Sequence, residues 1–164
     1  MRAKIDEVTE KVAGQHKGIV DQPIVLHVYS PTCPDMSLID LPGITRIPLK
    51  DSDQPQNIEE ITKRMALKYV TDKRTIILCV VPANIDITTS EALQMAQSAD
   101  PKGLRTIGVI TKIDIMDKGT NAKKTLLGQE VSLRLGFVGV KLRSQQDIRE
   151  KKPIQVALEV FCDR

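Results

Sequence analysis

Apolar residues recur along this chain with two periods, and the two alternate. Ile5, Val8 and Val12 fall on one helical stripe, and Gly14 follows where a helix would stop, which predicts a short first helix. Pro23 to Tyr29, "PIVLHVY", switches to a period of two: Ile24, Leu26 and Val28 on one face, Val25, His27 and Tyr29 on the other. Pro23 and Pro31 bracket it, so the pattern predicts a strand near a sheet edge. Met36 to Asp40, "MSLID", predicts a second strand that ends at a Pro-Gly turn. Asn57 then precedes Glu60 at capping-box spacing, and Ile58, Ile61, Met65 and Tyr69 recur at helical intervals. Thr75 to Val81 is apolar almost throughout, as a strand covered on both faces would be. Thr88 and Glu91 repeat the capping spacing before "ALQMAQSA", and Asp100-Pro101 closes that helix. "TIGVI" (106–110) predicts another strand, 123–135 a helix stopping at Gly136, and "FVGV" (137–140) a last strand. Segments 144–150 and 154–160 have helical patterns. Strands alternating with helices predict an α/β fold with a mainly parallel, doubly wound sheet.

Composition narrows what such a fold does here. The length of 164 residues suits a single compact domain. A net charge of +3 is small and scattered, with no contiguous Lys/Arg tract, and aromatics at 2% leave no stacking platform, so nucleic-acid binding is not expected. No segment approaches the run of roughly 20 apolar residues that crosses a bilayer. The charged, amphipathic opening "MRAKIDEVTEKVAG" has no apolar signal-like core, so a cytoplasmic setting is expected. Cys33, Cys79 and Cys162 are dispersed without metal-ligand spacing and are expected to be reduced thiols. His27 is expected to be a strand side chain and not a ligand or base.

In open parallel sheets, ligands bind beyond the carboxyl ends of the strands. Three strand endings carry polar chemistry: Asp40-Leu41-Pro42-Gly43, Thr111-Lys112-Ile113-Asp114 and Leu142-Arg143-Ser144-Gln145. At the second, an aspartate carboxylate accepts two parallel hydrogen bonds from the N1 and N2 donors of guanine, a pair that adenine does not offer. Asp114 would therefore choose guanine, while Lys112 lays its methylene stem against the purine face and sends its ammonium across the site. A bare Lys-x-Asp equally describes a solvated turn with two charges. Asp-x-x-Gly is weaker still, since Asp100-Pro101-Lys102-Gly103 repeats it in what reads as a plain turn. Asp40 differs in following an apolar segment directly. There a carboxylate can hold the water shell of Mg2+, and the unhindered Gly43 amide can approach a terminal phosphate.

Order, spacing and surroundings together are more specific than any of these motifs. "LIDLPGITRIPL" (38–49), "VVPANIDITTSEALQMAQSADPKGLRTIGVITKIDIMDKGT" (80–120) and "GFVGVKLRSQQDI" (136–148) resemble the GTPase domain of the dynamin superfamily, including its dynamin-like and Mx branches. The resemblance runs from about Ile5 to about Leu158. It implies a partial P-loop GTPase fold with one antiparallel edge strand in the mainly parallel sheet, the whole of 1–164 being part of one GTPase domain. It implies a parent enzyme that hydrolyses GTP to GDP and phosphate with Mg2+, self-associates through its GTPase domains, and acts peripherally on membranes through regions outside this chain. Asp40 and Gly43 match the third GTPase motif (Mg2+ through water, γ-phosphate through the amide), and Thr111, Lys112 and Asp114 match the guanine-specificity motif. Arg143, Ser144 and Gln145 match the fifth motif, beside the base. Leu142 departs from the pattern, standing where many dynamins have asparagine. Asp117 resembles the segment that contacts the nucleotide of a facing partner.

A Gly-rich loop ending in Lys-Ser/Thr is not found. Gly103 and Gly108 have its glycine spacing but continue into Val109 and Ile110 without the lysine. The resemblance implies that the phosphate loop, the first strand and the switch threonine lie upstream of this segment. No residue of the chain is then expected to be a catalytic base. That first strand would lie between the strands ending at Asp40 and Val81. Without it the two apolar edges are expected to pair directly, to be filled by another copy, or to leave the isolated chain poorly folded. The alternative function is a noncatalytic interaction module on a GTPase-like fold.

Overall fold

The computed structural model describes residues 2–14, 18–116 and 121–153. The chain divides into two compact units, Met1–Lys68 and Tyr69–Arg164.

In the first unit, helix α1 (Arg2–Ala13) ends as its sequence predicts. Gly14 takes a left-handed φ of 78° and its amide returns to the Glu10 carbonyl at 3.1 Å, closing the last turn. Residues 18–49 form no helix and no ladder-paired strand. The strands expected at 23–29 and 36–40 do not form: neither segment is paired, and Val25 is 70%, Tyr29 91% and Leu38 82% exposed. Alternation makes a segment fit a half-buried pleated surface, yet it provides no partner, and pairing is what makes a strand. Helix α2 (Ile58–Val70) follows, its last two residues already in the second unit, with Glu59 and Glu60 in its first turn, where the helix dipole favours them. Its buried stripe is Ile58, Thr62, Ala66 and Val70, rotated from the Ile61 and Met65 stripe that the pattern predicts. Thr62 tolerates full burial because its hydroxyl donates to the carbonyls of Ile58 (3.0 Å) and Glu59 (3.1 Å).

The second unit is an α/β layer on a three-stranded parallel sheet, β1 (Ile77–Pro82), β2 (Thr106–Thr111) and β3 (Phe137–Gly139), in that spatial order. Between β1 and β2 lies α3 (Glu91–Ala99), which makes this a βαβ unit. Its N-cap is Ser90, whose hydroxyl accepts from the Leu93 amide. Thr88, the expected cap, sits instead in a preceding 3₁₀ turn (Ile87–Thr89) capped by Asp86. One face of the sheet is core: Ile77, Cys79, Val81 and Ile110 pack with Ile87, Leu93 and Ala96. Burial pushes the Cys79 thiol up to about 11, in keeping with an inert thiol. On the other face, Leu78 and Val80 are exposed, so the cover on both sides of β1 is not found among the described residues. Among the described residues the sheet pairings are parallel, the expected antiparallel edge strand is not found, and 36–40 forms no ladder.

At the amino end of β2, buried Asp100 accepts from the amides of Leu104 (3.1 Å) and Arg105 (2.9 Å) and from the Thr106 hydroxyl (2.8 Å). The Arg105 guanidinium donates to the carbonyls of Val70, Thr75 and Ala99. Orphan carbonyls at two helix ends are thereby satisfied from the residue just before β2. Helix α4 (Lys123–Leu126) is much shorter than the 123–135 pattern predicts. Gly128, at φ +68°, ends it: its amide bonds to Thr125 and that of Gln129 to Lys124, a Schellman closure. Helix α5 (Gln145–Arg149) completes the described unit, and the helix expected at 154–160 lies outside the described residues.

Candidate functional site: the carboxyl ends of β2 and β3

Each polar strand ending of the second unit emerges from the same edge of the sheet. β2 delivers Thr111 as its last residue, and the Thr111 carbonyl accepts from the Ala83 amide at 2.8 Å, which ties it to the end of β1. The chain then turns sharply. Lys112 takes a left-handed conformation (φ 58°, ψ 31°), and Ile113–Ile115 form a 3₁₀ turn closed by the Ile115 amide on the Lys112 carbonyl at 3.2 Å. A non-glycine residue in that region costs about 1–2 kcal/mol, so the surroundings must hold it. Ile113 supplies the hold by packing against the core, while Lys112 and Asp114 on either side of it are exposed. The pattern polar-apolar-polar thus places two charged groups outward on a turn pinned from below.

β3 runs alongside. Its pairing puts Ile110 opposite Gly139, and the Val140 amide extends the ladder onto the Ile110 carbonyl at 2.8 Å. Three residues on, Arg143 is half-buried and donates through Nη1 to the Lys152 carbonyl at 2.9 Å. Ser144 caps α5 in a full capping box: its hydroxyl accepts from the Asp147 amide (3.1 Å), and the Asp147 carboxylate accepts from the Ser144 amide (2.9 Å) and hydroxyl (2.7 Å). The Ser144 hydroxyl and amide hold the Asp147 carboxyl below the usual carboxylate range. Asp147 is the residue that strand-end reasoning missed, although Ser144-x-x-Asp147 is a capping signature in the sequence. Gln145, the first residue of α5, is exposed. Thr111, Lys112, Asp114 and Arg143–Gln145 are therefore presented by neighbouring parallel strands at one sheet edge.

The remaining predicted residues are placed differently. Asp40 and Gly43 lie in the first unit, in an irregular segment; Asp40 is exposed and follows an unpaired stretch and not a strand. A Cβ built on Gly43 would meet nothing within 4 Å, so the space beside its α-carbon is open. Asp117 lies outside the described residues. No group of three or more His, Cys, Asp or Glu able to hold a metal occurs among the described residues. Mg2+ is usually held by only one or two carboxylates, with waters and phosphates completing six ligands, and a lone exposed Asp40 fits that mode as a water-bridged contact. Gly103 and Gly108 are a turn residue and a mid-strand residue, as the missing lysine implied: the Gly103 amide returns to the Asp100 carbonyl at 2.9 Å, and Gly108 pairs within β2. A cavity of about 230 Å3 opens beside the ends of β1 and β2, bordered by Pro82, Asp86, Ile110, Met116 and Thr125; none of the predicted site residues lines it. No described helix is long and apolar enough to cross a membrane.

Comparison with known proteins bears on these placements. The model of the "Dynamin family" matches residues 1–113, and that of the "Dynamin central region" matches 121–160. Dynamin-B of Dictyostelium discoideum is 51% identical over 158 residues, 96% of this chain and 17% of the relative. Dynamin-related protein 3B of Arabidopsis thaliana is 51% identical over 158 residues, 96% of this chain and 20% of the relative. Human Dynamin-2 is 49% identical over 158 residues, 96% and 18% respectively. The chain spans about a fifth of the length of these curated relatives. With one family model covering 113 of its 164 residues, the chain belongs to the dynamin family.

Proposed function

We propose that this chain is the base-reading part of a dynamin-type GTPase domain. Residues 1–164 would all belong to that domain, in a larger protein that hydrolyses GTP to GDP and phosphate. The observation that carries the reading is the left-handed turn at Lys112, which follows a strand paired on both sides and sets Lys112 and Asp114 outward on either side of core-packed Ile113. Asp114 accepts the two guanine donors, Lys112 covers the purine face, and Arg143, Ser144 and Gln145 close the neighbouring side from β3. Asp40 would order the waters of a bound Mg2+, which would supply charge neutralisation at the phosphates, and the Gly43 amide would donate to the terminal phosphate. Asp117 would meet the nucleotide of a second copy when two GTPase domains face each other. Self-assembly and peripheral membrane remodelling by a cytoplasmic parent belong to this proposal through the family, as does the placement of the phosphate loop outside this chain.

The experiment is a base swap. In a full-length protein, Asp114→Asn replaces one acceptor by a donor, so GTP affinity is expected to fall roughly tenfold or more and xanthosine triphosphate to bind in its place. An unchanged preference for guanine contradicts the assignment of Asp114. A second reading, a noncatalytic interaction module, is favoured by the apolar sheet face on which Leu78, Val80 and Val138 are each more than half exposed. Under that reading the Asp114 variant keeps all partner binding.

A further inference from the structure

Within the proposed base site, half of the polar groups arrive on β3, a strand with little to hold its register. β3 has three residues, Gly136 precedes it at φ +75°, and Gly139 ends it. Register is set by side chains that belong on one face, and of Phe137, Val138 and Gly139 only Phe137 is packed against the core. Its partner across the ladder is Gly108, buried in the middle of β2. The Phe137 ring lies over Gly108 so closely that a Cβ built there would run into Cδ1 and Cε1. An aromatic ring over a cross-strand glycine fixes register because no other position on β2 leaves that space.

The same register carries through to the turn. Gly139, on the same face two residues on, sits where a Cβ would lie 3.5 Å from Leu126 Cδ2 and 3.6 Å from Ile113 Cδ1. Ile113 is the residue between Lys112 and Asp114. A slip of one residue would shift β3 by about 3.3 Å and reverse its faces, bringing a branched valine under Ile113 and displacing Arg143–Gln145 along the strand.

We propose that Phe137 and Gly108 form a register lock that positions both halves of the base site: the Lys112–Asp114 turn through Ile113 over Gly139, and Arg143–Gln145 through the end of β3. Both are positioning residues, and neither has to touch nucleotide. The proposal rests on the reading of that edge as a guanine site, but the lock has a readout that needs no nucleotide.

Amide hydrogen exchange in the intact chain tests it. In Phe137→Ala, protection is expected to fall roughly tenfold or more at Val140, whose amide reports the β2–β3 ladder, and at Ile115, whose amide reports the turn. Ile77 and Ala83, whose amides report β1–β2, stay protected. Phe137→Tyr, which keeps the ring, restores both. If Ile77 and Ala83 also lose protection, the variant has unfolded and Phe137→Leu decides, with the same selective loss expected. Uniform change at all four amides in Phe137→Leu, or none, overturns the lock. In the full-length protein, the GTP-over-ATP preference is expected to drop roughly tenfold in Phe137→Ala or, if that unfolds, in Phe137→Leu, with Asp114 intact. Selective amide loss with an unchanged preference overturns the positioning role, whereas a wild-type protein that binds no guanine nucleotide removes the site reading and leaves the lock to the amides.

Discussion

The two units both carry apolar segments of strand length and do opposite things with them. In the first, 23–29 and 36–40 are unpaired, with Leu38 82% exposed; in the second, β1 and β2 pair over six residues and Ile110 is 2% exposed. The difference shows that an apolar segment of strand length encodes compatibility with a sheet, while pairing and cover decide whether it becomes one. It also separates the candidate site residues by whether paired strands deliver them. Lys112, Asp114 and Arg143–Gln145 stand on a paired sheet, whereas Asp40 and Gly43 stand on an irregular segment that no strand supports.

Truncating one apolar residue in each unit gives the largest contrast. Ile110→Ala removes a fully buried side chain from β2 and is expected to cost about 3 kcal/mol. Leu38→Ala is expected to cost under about 0.5 kcal/mol. Denaturant melts of the two variants check this, and equal losses would mean that 36–40 is as well packed as β2.

Acid sharpens the comparison next. Burial opposes ionisation of Asp100, but the amide of Arg105, the Thr106 hydroxyl and the Leu104 amide outweigh it and lower its carboxyl below the ordinary range. A lowered folded value means that the unfolded chain takes up the proton first. The stabilisation is therefore complete above the ordinary carboxylate value near about pH 4 and is lost as pH falls through the lowered one. In the first unit, Glu7 and Glu59 are lowered as well, by lysine partners at helical spacing, Lys11 exposed and Lys63 half-buried, whose surface pairs contribute little. Asp100→Asn is expected to flatten the acid limb of stability below pH 4, and Glu7→Gln to leave it nearly unchanged, as melting temperatures against pH would record.

The smallest effect has an opposite sign for stability and for binding. Lys112→Gly relieves a left-handed non-glycine residue and is expected to raise stability by about 0.5 kcal/mol while weakening guanine-nucleotide binding. Thermal melts read beside nucleotide affinity check it. A loss of stability would mean that the Lys112 side chain is held by packing and that the turn carries no functional strain.

The sequence made much of this legible where local chemistry and tertiary surroundings agree. The stop of α1 at Gly14, the closure of α3 at Asp100 and the delivery of Thr111 to Asp114 by a buried strand are all readable from residue types. The rest depended on partners or on position. The early cut of α4 was written in Gly128, but a left-handed closure competes with a helical apolar pattern that continues beyond it. The start of α3 at Ser90 lost out to Thr88 because both lie in capping range of an acidic or apolar run, and only the 3₁₀ turn that takes up Thr88 decides. Gly108 looked like a spoiled phosphate loop; its use is visible only once Phe137 lies on it. The unpaired 23–29 and 36–40 segments show the same thing from the other side, since their pattern is fulfilled and their pairing is not.

The most direct measurement is a titration of the purified chain with fluorescent GDP in Mg2+, competed by GTP and by ATP. Saturable binding that GTP displaces and ATP does not is expected, because the edge that distinguishes guanine from adenine is the part of the site built on the paired sheet. No binding, or displacement by both nucleotides alike, would contradict it.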